Sequence, residues 1–254
     1  MTTEPMVNGP CWVELGAQDT AREGDFYAQV FGWDLATDPR PEAGGYTIAS
    51  LGGRRVAAVT PLYGEDQPVA WNVSFRVADV DTALETVRDA GGSVLFGPLD
   101  VFEEGRFAVA VDPTGAAFQL WQPRDFTGAE AMGEPGTLCW VDLHTRDVDA
   151  ASAFYSRLFG WDLAEGSGYR VLSLDGTGFG GVFDQEGDEG YPQDIPPHWI
   201  PYFATTDVEG TVAAANKAGG TTVMGPMVLG GFTIAAIVDP EGAGFQLLEV
   251  PDGS

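Results

Sequence analysis

Apolar and polar residues alternate over 11–17 (Cys-Trp-Val-Glu-Leu-Gly-Ala), the period of a strand with one buried face. The period then changes. Phe26, Tyr27, Val30 and Phe31 fall at helical spacing, behind Asp19 or Thr20 as N-cap and ahead of Gly32 as a stop. Short strands are predicted at 46–51 and 54–59, around the hairpin signal Gly52-Gly53. The plan restarts with a strand at 71–77. A helix follows, capped by Asp79, carrying Val80, Leu84 and Val87 inward and ending at Gly91-Gly92. Strands at 94–96, 107–111 and 116–122 complete it. The last two are joined by Asp112-Pro113-Thr114-Gly115, a turn with Pro at its second position and Gly at its fourth.

The whole plan occurs twice. Cys11-Trp12-Val13-Glu14-Leu15 returns as Cys139-Trp140-Val141-Asp142-Leu143, an offset of 128 (139 − 11). Phe31-Gly32-Trp33-Asp34-Leu35 returns as Phe159-Gly160-Trp161-Asp162-Leu163, and Gly97-Pro98 as Gly225-Pro226, at the same offset. Phe118-Gln119-Leu120 returns as Phe245-Gln246-Leu247 at 127 (245 − 118). So long a period excludes a solenoid and indicates a duplicated domain. The units expected are 8–124 and 136–250, each with its own core, joined by a connector at 125–135. That connector, rich in small residues, Gly and Pro, reads as a surface segment. The fold class is α+β, with four βαβββ units, two per domain.

A strand, an acid-capped helix containing Phe-Tyr, then Phe-Gly-Trp, and a late Asp-Pro-x-Gly turn into a final strand resemble the glyoxalase/bleomycin-resistance/dioxygenase (vicinal oxygen chelate) superfamily. The resemblance spans both units. It is nearest to tandem-domain actinobacterial members described as glyoxalase-like or as hydroxylase candidates. It implies that the βαβββ units pair into two curved, mostly antiparallel sheets, each around a cleft. Lyases, isomerases, ring-cleaving dioxygenases and drug-sequestering proteins share that fold, so the fold alone does not choose a chemistry.

The resemblance also implies where a divalent metal would be held: seven residues before each helix-capping Asp, and four after the late turn Gly. In this chain those positions hold Trp12, Asn72 and Gln119 in the first copy, and Trp140, Ile200 and Gln246 in the second. Trp and Ile cannot ligate and an amide is a poor substitute for carboxylate, so no metal and no cofactor are expected. The chain has two histidines, His144 and His198; a displaced two-His site would need both, with Asp142 or Glu249.

Strand parity puts Trp12, Glu14, Asn72, Ser74, Arg76, Gln119 and Trp121 on the cleft side of the first domain. In the second it places Trp140, Asp142, His144, His198, Ile200, Tyr202, Gln246 and Leu248 there. Aromatic faces with a few polar groups make up a small-molecule pocket, although the two tryptophans could equally fill the space a metal would take. Glu14 has Arg76 as a candidate partner. Asp142 has none, since Ala204 stands at the place of Arg76, and Asp142 with His144 is the best general-base candidate. Gln119 and Gln246 read equally as ties between strands. Cys11 and Cys139 are expected to be thiols facing away from the clefts.

Charge narrows the partners. Thirty-eight acidic against 12 basic residues give −26 over 254 residues, which disfavours nucleic acid and anionic membranes. No apolar run approaches a membrane span and residues 1–10 lack a signal-peptide pattern, so a cytoplasmic protein is expected. The duplication could supply internally a pairing that relatives make from two chains, which favours a monomer. The leading expectation is a metal-free protein that sequesters or carries a planar apolar small molecule. The alternative is a lyase, isomerase or hydroxylase using Asp142/His144 or Glu14 as acid–base groups. A purely structural or interaction domain ranks third, because it gives no role to the polar groups inside the strands.

Overall fold

The computed structural model describes residues 5–64, 66–164, 168–188 and 190–251. The first half runs β1 (Pro10–Ala17), α1 (Thr20–Phe31), β2 (Asp34–Thr37), β3 (Thr47–Leu51), β4 (Arg54–Pro61), then β5 (Ala70–Arg76), α2 (Val80–Asp89), β6 (Ser93–Val101), β7 (Gly105–Val111) and β8 (Ala117–Pro123). The second runs β9 (Leu138–Thr145), α3 (Val148–Phe159), β10 (Asp162–Leu163), β11 (Tyr169–Leu174), β12 (Thr177–Asp184), then β13 (His198–Thr205), α4 (Val208–Lys217), β14 (Thr221–Leu229), β15 (Phe232–Val238) and β16 (Gly244–Glu249). These are four βαβββ units. The short strands β2 and β10, which carry no alternating pattern, complete the two units in which sequence periodicity finds only two strands after the helix.

Each half forms one eight-stranded mixed sheet, in the orders β2-β3-β4-β1-β5-β8-β7-β6 and β10-β11-β12-β9-β13-β16-β15-β14. The crossover pairs β1–β4, β5–β8, β9–β12 and β13–β16 are parallel and the other neighbours antiparallel. All four helices start on an aspartate whose carboxylate accepts a backbone N–H of the first turn: Asp19 from Arg22, Asp79 from Thr82, Asp147 from Ala150 and Asp207 from Gly210. No helix among the described residues is long and apolar enough to cross a membrane.

The halves do not keep separate cores. One continuous cluster of buried side chains runs through both. Phe31 and Trp33 pack on Phe203 of the second half, and Phe75 packs on Trp161 and Trp199. Two hydrogen bonds cross reciprocally: the Trp33 indole donates to the Gly136 carbonyl at 2.8 Å, and Trp161 to that of Asn8. Glycine makes room for the exchange. A Cβ on Gly92 would meet the Phe154 ring at 2.9 Å, and one on Gly220 the Phe26 ring at 3.0 Å. Phe26, Tyr27, Phe154 and Tyr155 are thus packing residues, as their spacing suggests, but they pack across the boundary as well as on their own sheets.

The connector is not a surface segment. Ala129 and Ala131 are buried, and the chain from Arg124 to Glu130 lies across the cleft-side face of the first sheet. The backbone N–H groups of Asp125 and Phe126 donate to the Glu103 and Glu104 carbonyls, and that of Ala129 to Cys11. A bulge between Pro10 and Trp12 turns Cys11 into the same apolar cluster as Trp12, so this cysteine does not face away from the cleft. Both thiols are free; burial pushes that of Cys139 up to about 12 and that of Cys11 higher still.

Candidate functional sites in the two halves

In the first half, strand alternation sets Trp12 and Glu14 beside each other on β1, facing Ser74 and Asn72 across the pairing with β5. Glu14 is held from both sides: Gln119 donates from Nε2 to Oε1 at 2.7 Å and the Tyr46 hydroxyl to Oε2 at 3.1 Å. Ser74 anchors Gln119 at 2.6 Å, Trp12 donates to Tyr46 at 2.9 Å, and Asn72 spans the Glu14 and Ala70 carbonyls. Burial raises the pKa of Glu14 against these hydrogen bonds. Arg76 is not its partner. That side chain donates to the Pro5 carbonyl at 2.8 Å, since the segment before β1 lies nearer than the carboxylate.

Over this network sits the connector. The Phe126 ring meets Trp12 edge-on at 4.9 Å and Trp121 at 5.9 Å. Trp121 donates to the Phe126 carbonyl at 2.8 Å. The Arg55 guanidinium lies 4.6 Å from the Phe126 ring centre and pairs with Glu130 at 2.9 Å. The first cleft is filled by its own chain, and Trp12 is buried accordingly.

The second half keeps the plan and changes the contents. Asp142, only 2% exposed, accepts from the Tyr202 hydroxyl at 2.5 Å, the Tyr169 hydroxyl at 2.8 Å and Trp140 Nε1 at 2.9 Å. Burial nevertheless raises its pKa to about 6. Trp140 is only half-buried, in contrast to Trp12. Gln246 matches Gln119 in register, but Tyr202 stands where Ser74 would anchor it and itself supplies the bond to the carboxylate.

His144 lies on the same face as Asp142 but does not pair with it. Two residues along a strand are about 7 Å apart, and His144 instead binds the Tyr191 hydroxyl through Nδ1 at 2.9 Å. His198 stands directly opposite, with ring centres 5.1 Å apart, and its Nδ1–H donates to the Pro196 carbonyl at 2.8 Å. Burial, helped by His198, lowers the pKa of His144 to about 3; burial also lowers that of His198, so both imidazoles are neutral at pH 7.

A divalent metal does not fit either donor set. Trp12 and Trp140 have spent their indole N–H on Tyr46, Asp142 and Tyr169, and Gln119 is committed to Ser74 and Glu14. Asp142, His144 and His198 each turn to a different partner. No group of three or more His, Cys, Asp or Glu among the described residues is arranged to hold a metal ion.

Tyr46, Tyr169, Tyr191 and Phe126 escape periodicity. Tyr46 and Tyr169 stand in equivalent places, and a signal exists: Gly45-Tyr46-x-Ile48-x-Ser50-Leu51 returns as Gly168-Tyr169-x-Val171-x-Ser173-Leu174, but at an offset of 123 (169 − 46). A shortened loop breaks the register of 128. Phe126 has no local signal.

The family described as Glyoxalase/Bleomycin resistance protein/Dioxygenase superfamily matches residues 11–120 and again 137–247. Among relatives, the anthracycline biosynthesis protein DnrV of Streptomyces peucetius is 37% identical, covering 96% of this chain and 94% of its own. CFP32 of Mycobacterium tuberculosis, a glyoxylase candidate, is 36% identical over 94% of each chain. The Mn(II)-bound glyoxalase of Novosphingobium aromaticivorans superposes with a TM-score of 0.68 at 17% identity, covering 96% of this chain and 82% of that one. The 2,3-dioxygenase LapB of Pseudomonas sp. KL28 gives 0.67 at 14%, covering 98% and 94%. At such identities these two solved structures show the shared fold alone.

Proposed function

The chain belongs to the glyoxalase/bleomycin resistance/dioxygenase superfamily, and from that premise we propose that it is a metal-independent binding protein for a planar, largely apolar small molecule, taken up in the second half. The observation that carries this reading is Asp142: a buried carboxylate, held by Tyr169, Tyr202 and Trp140 beneath a half-buried indole. A buried acid so held offers a ligand donor a fixed, desolvated acceptor, and Trp140 offers it a flat face. The likeness to DnrV, whose name places it in anthracycline biosynthesis, supports a fused-ring aromatic ligand. As the two halves already pair within one chain, it works as a cytoplasmic monomer.

The test is a titration of the intact protein with daunomycin, followed by tryptophan fluorescence, before and after dialysis against a chelator. Saturable quenching that survives dialysis and weakens at least about tenfold in Asp142→Asn is expected, the ~1.4 kcal/mol of one charge-assisted contact. Absence of saturable quenching, or its loss with the metal, sinks the reading.

One observation favours a second reading. A carboxyl titrating at about 6 is poised to exchange protons near neutral pH, as a lyase or isomerase base must. In that case daunomycin-like compounds would be consumed, and product would appear in proportion to ionised Asp142.

A further inference from the structure

We infer that Phe126 is a built-in stand-in for the ligand, and that the ligand of the second half seats an aromatic ring in the corresponding place, over Trp140 beside Gly178. This deepens the reading just given and rests on it.

The strand registers make the correspondence residue by residue. Glu14 lies opposite Ala58 and Asp142 opposite Gly181; Ser50 lies opposite Arg55 and Ser173 opposite Gly178. Gly178 therefore occupies the place of Arg55, the residue that clamps Phe126 over Trp12. A Cβ on Gly178 would meet the Trp140 ring at 3.4 Å, so a side chain here would lie against that indole, and the glycine lays none on a ring that is only half-buried.

The rim agrees. In the first half the connector hydrogen-bonds to the carbonyls of Glu103 and Glu104, at the tip of the β6–β7 hairpin, and Val101 and Phe107 pack beneath it. On the same face of the equivalent β14–β15 hairpin, Met227, Leu229 and Phe232 are exposed, Leu229 at 60%. Leu99, Val101 and Phe107 correspond in register to Met227, Leu229 and Ile234, so the apolar row that the connector covers in the first half is kept in the second, where Met227 and Leu229 are exposed. Apolar side chains standing free beside an open aromatic platform suit an occupant of more than one ring. The closed first cleft supplies the geometry: a ring edge-on to the indole at about 5 Å.

The test uses N-phenyl-1-naphthylamine, a neutral aromatic probe that brightens in apolar sites, on the full chain. Wild type is expected to bind one equivalent. Gly178→Arg, at an exposed position of ordinary backbone conformation, should weaken binding at least tenfold with an unchanged near-ultraviolet dichroism spectrum. Phe126→Ala and Arg55→Gly should each open the first cleft and raise the stoichiometry towards two. Probe affinity unchanged by Gly178→Arg, or two equivalents in wild type, overturns the inference. So does a wild type that binds no probe and elutes as a dimer, which would give the apolar rim to a second copy of the chain. If daunomycin still binds while the probe ignores Gly178→Arg, only the ring seat is wrong; if neither compound binds, the binding reading falls with it.

Discussion

The hydroxyl of Tyr27 donates to the carboxylate of Asp239 at 3.0 Å, joining the first helix of one half to the last turn of the other, and Tyr155 repeats the bond with Asp112 at 3.0 Å. Each tyrosine also accepts from an indole of its own half, Trp71 at 2.9 Å or Trp199 at 3.0 Å. The same aspartates cap their turns, Asp112 accepting from Thr114, Gly115 and Ala116, and Asp239 from Glu241 and Ala243. Tyr27→Phe strands a buried indole N–H and removes a donor from a buried carboxylate. It should cost about 2–3 kcal/mol in urea unfolding, and both halves should unfold in one transition.

Glu23 explains a pH dependence expected of that same boundary. It is buried against Asp239 with neither carboxylate oxygen accepting a hydrogen bond, and burial together with Asp239 pushes its pKa up to about 8. The folded state holds this proton more tightly than the unfolded chain does. Its contribution is complete below about pH 4.5 and declines as pH rises towards 8. Glu23→Gln should remove that slope, read as melting temperature against pH.

Asp142 gives a second slope of the same sign in a lower window. Raised from 3.8 to about 6, it opposes folding once ionised, by roughly 3 kcal/mol at neutral pH. Stability of wild type relative to Asp142→Asn should fall between pH 4 and 6 and level off above. The two histidines work the other way: their lowered pKa values make stability rise with pH through the same range. Only the difference between the two proteins therefore isolates Asp142.

Closure of the first cleft should be visible in thiol chemistry. Cys11 lies under Gly128 and Ala129, whereas Cys139 is only half-buried. A thiol reagent under native conditions should label Cys139 first. Phe126→Ala should bring Cys11 labelling up several-fold, at a stability cost of about 2 kcal/mol for the lost ring.

What could be read from the chain beforehand was whatever a short stretch determines by itself. The four capping aspartates, the strand alternation at Trp12–Glu14 and Trp140–Asp142, and the duplicated order of elements are of that kind. Parity told which face Asp142, His144, Glu14 and Arg76 occupy. It did not tell reach, and reach decided the partners: Tyr46 and Gln119 for Glu14, Tyr169 and Tyr202 for Asp142, Tyr191 for His144. Phe126 was hidden for another reason. Its destination is a surface assembled from β1, β4 and β8, and a connector of small residues carries no period that could announce it.

The crosswise docking of α1 has a consequence for how the chain is made. Phe26 and Phe31 rest on Phe245, and Phe31 on Phe203, so their partners are synthesised roughly two hundred residues later. Until then a nascent first half presents a bare aromatic stripe, while its connector can already close over Trp12. Folding must wait for long-range contacts, which slows it and exposes the stripe to aggregation. A truncation ending near residue 135 should therefore precipitate or self-associate, and adding the second half in trans should rescue it.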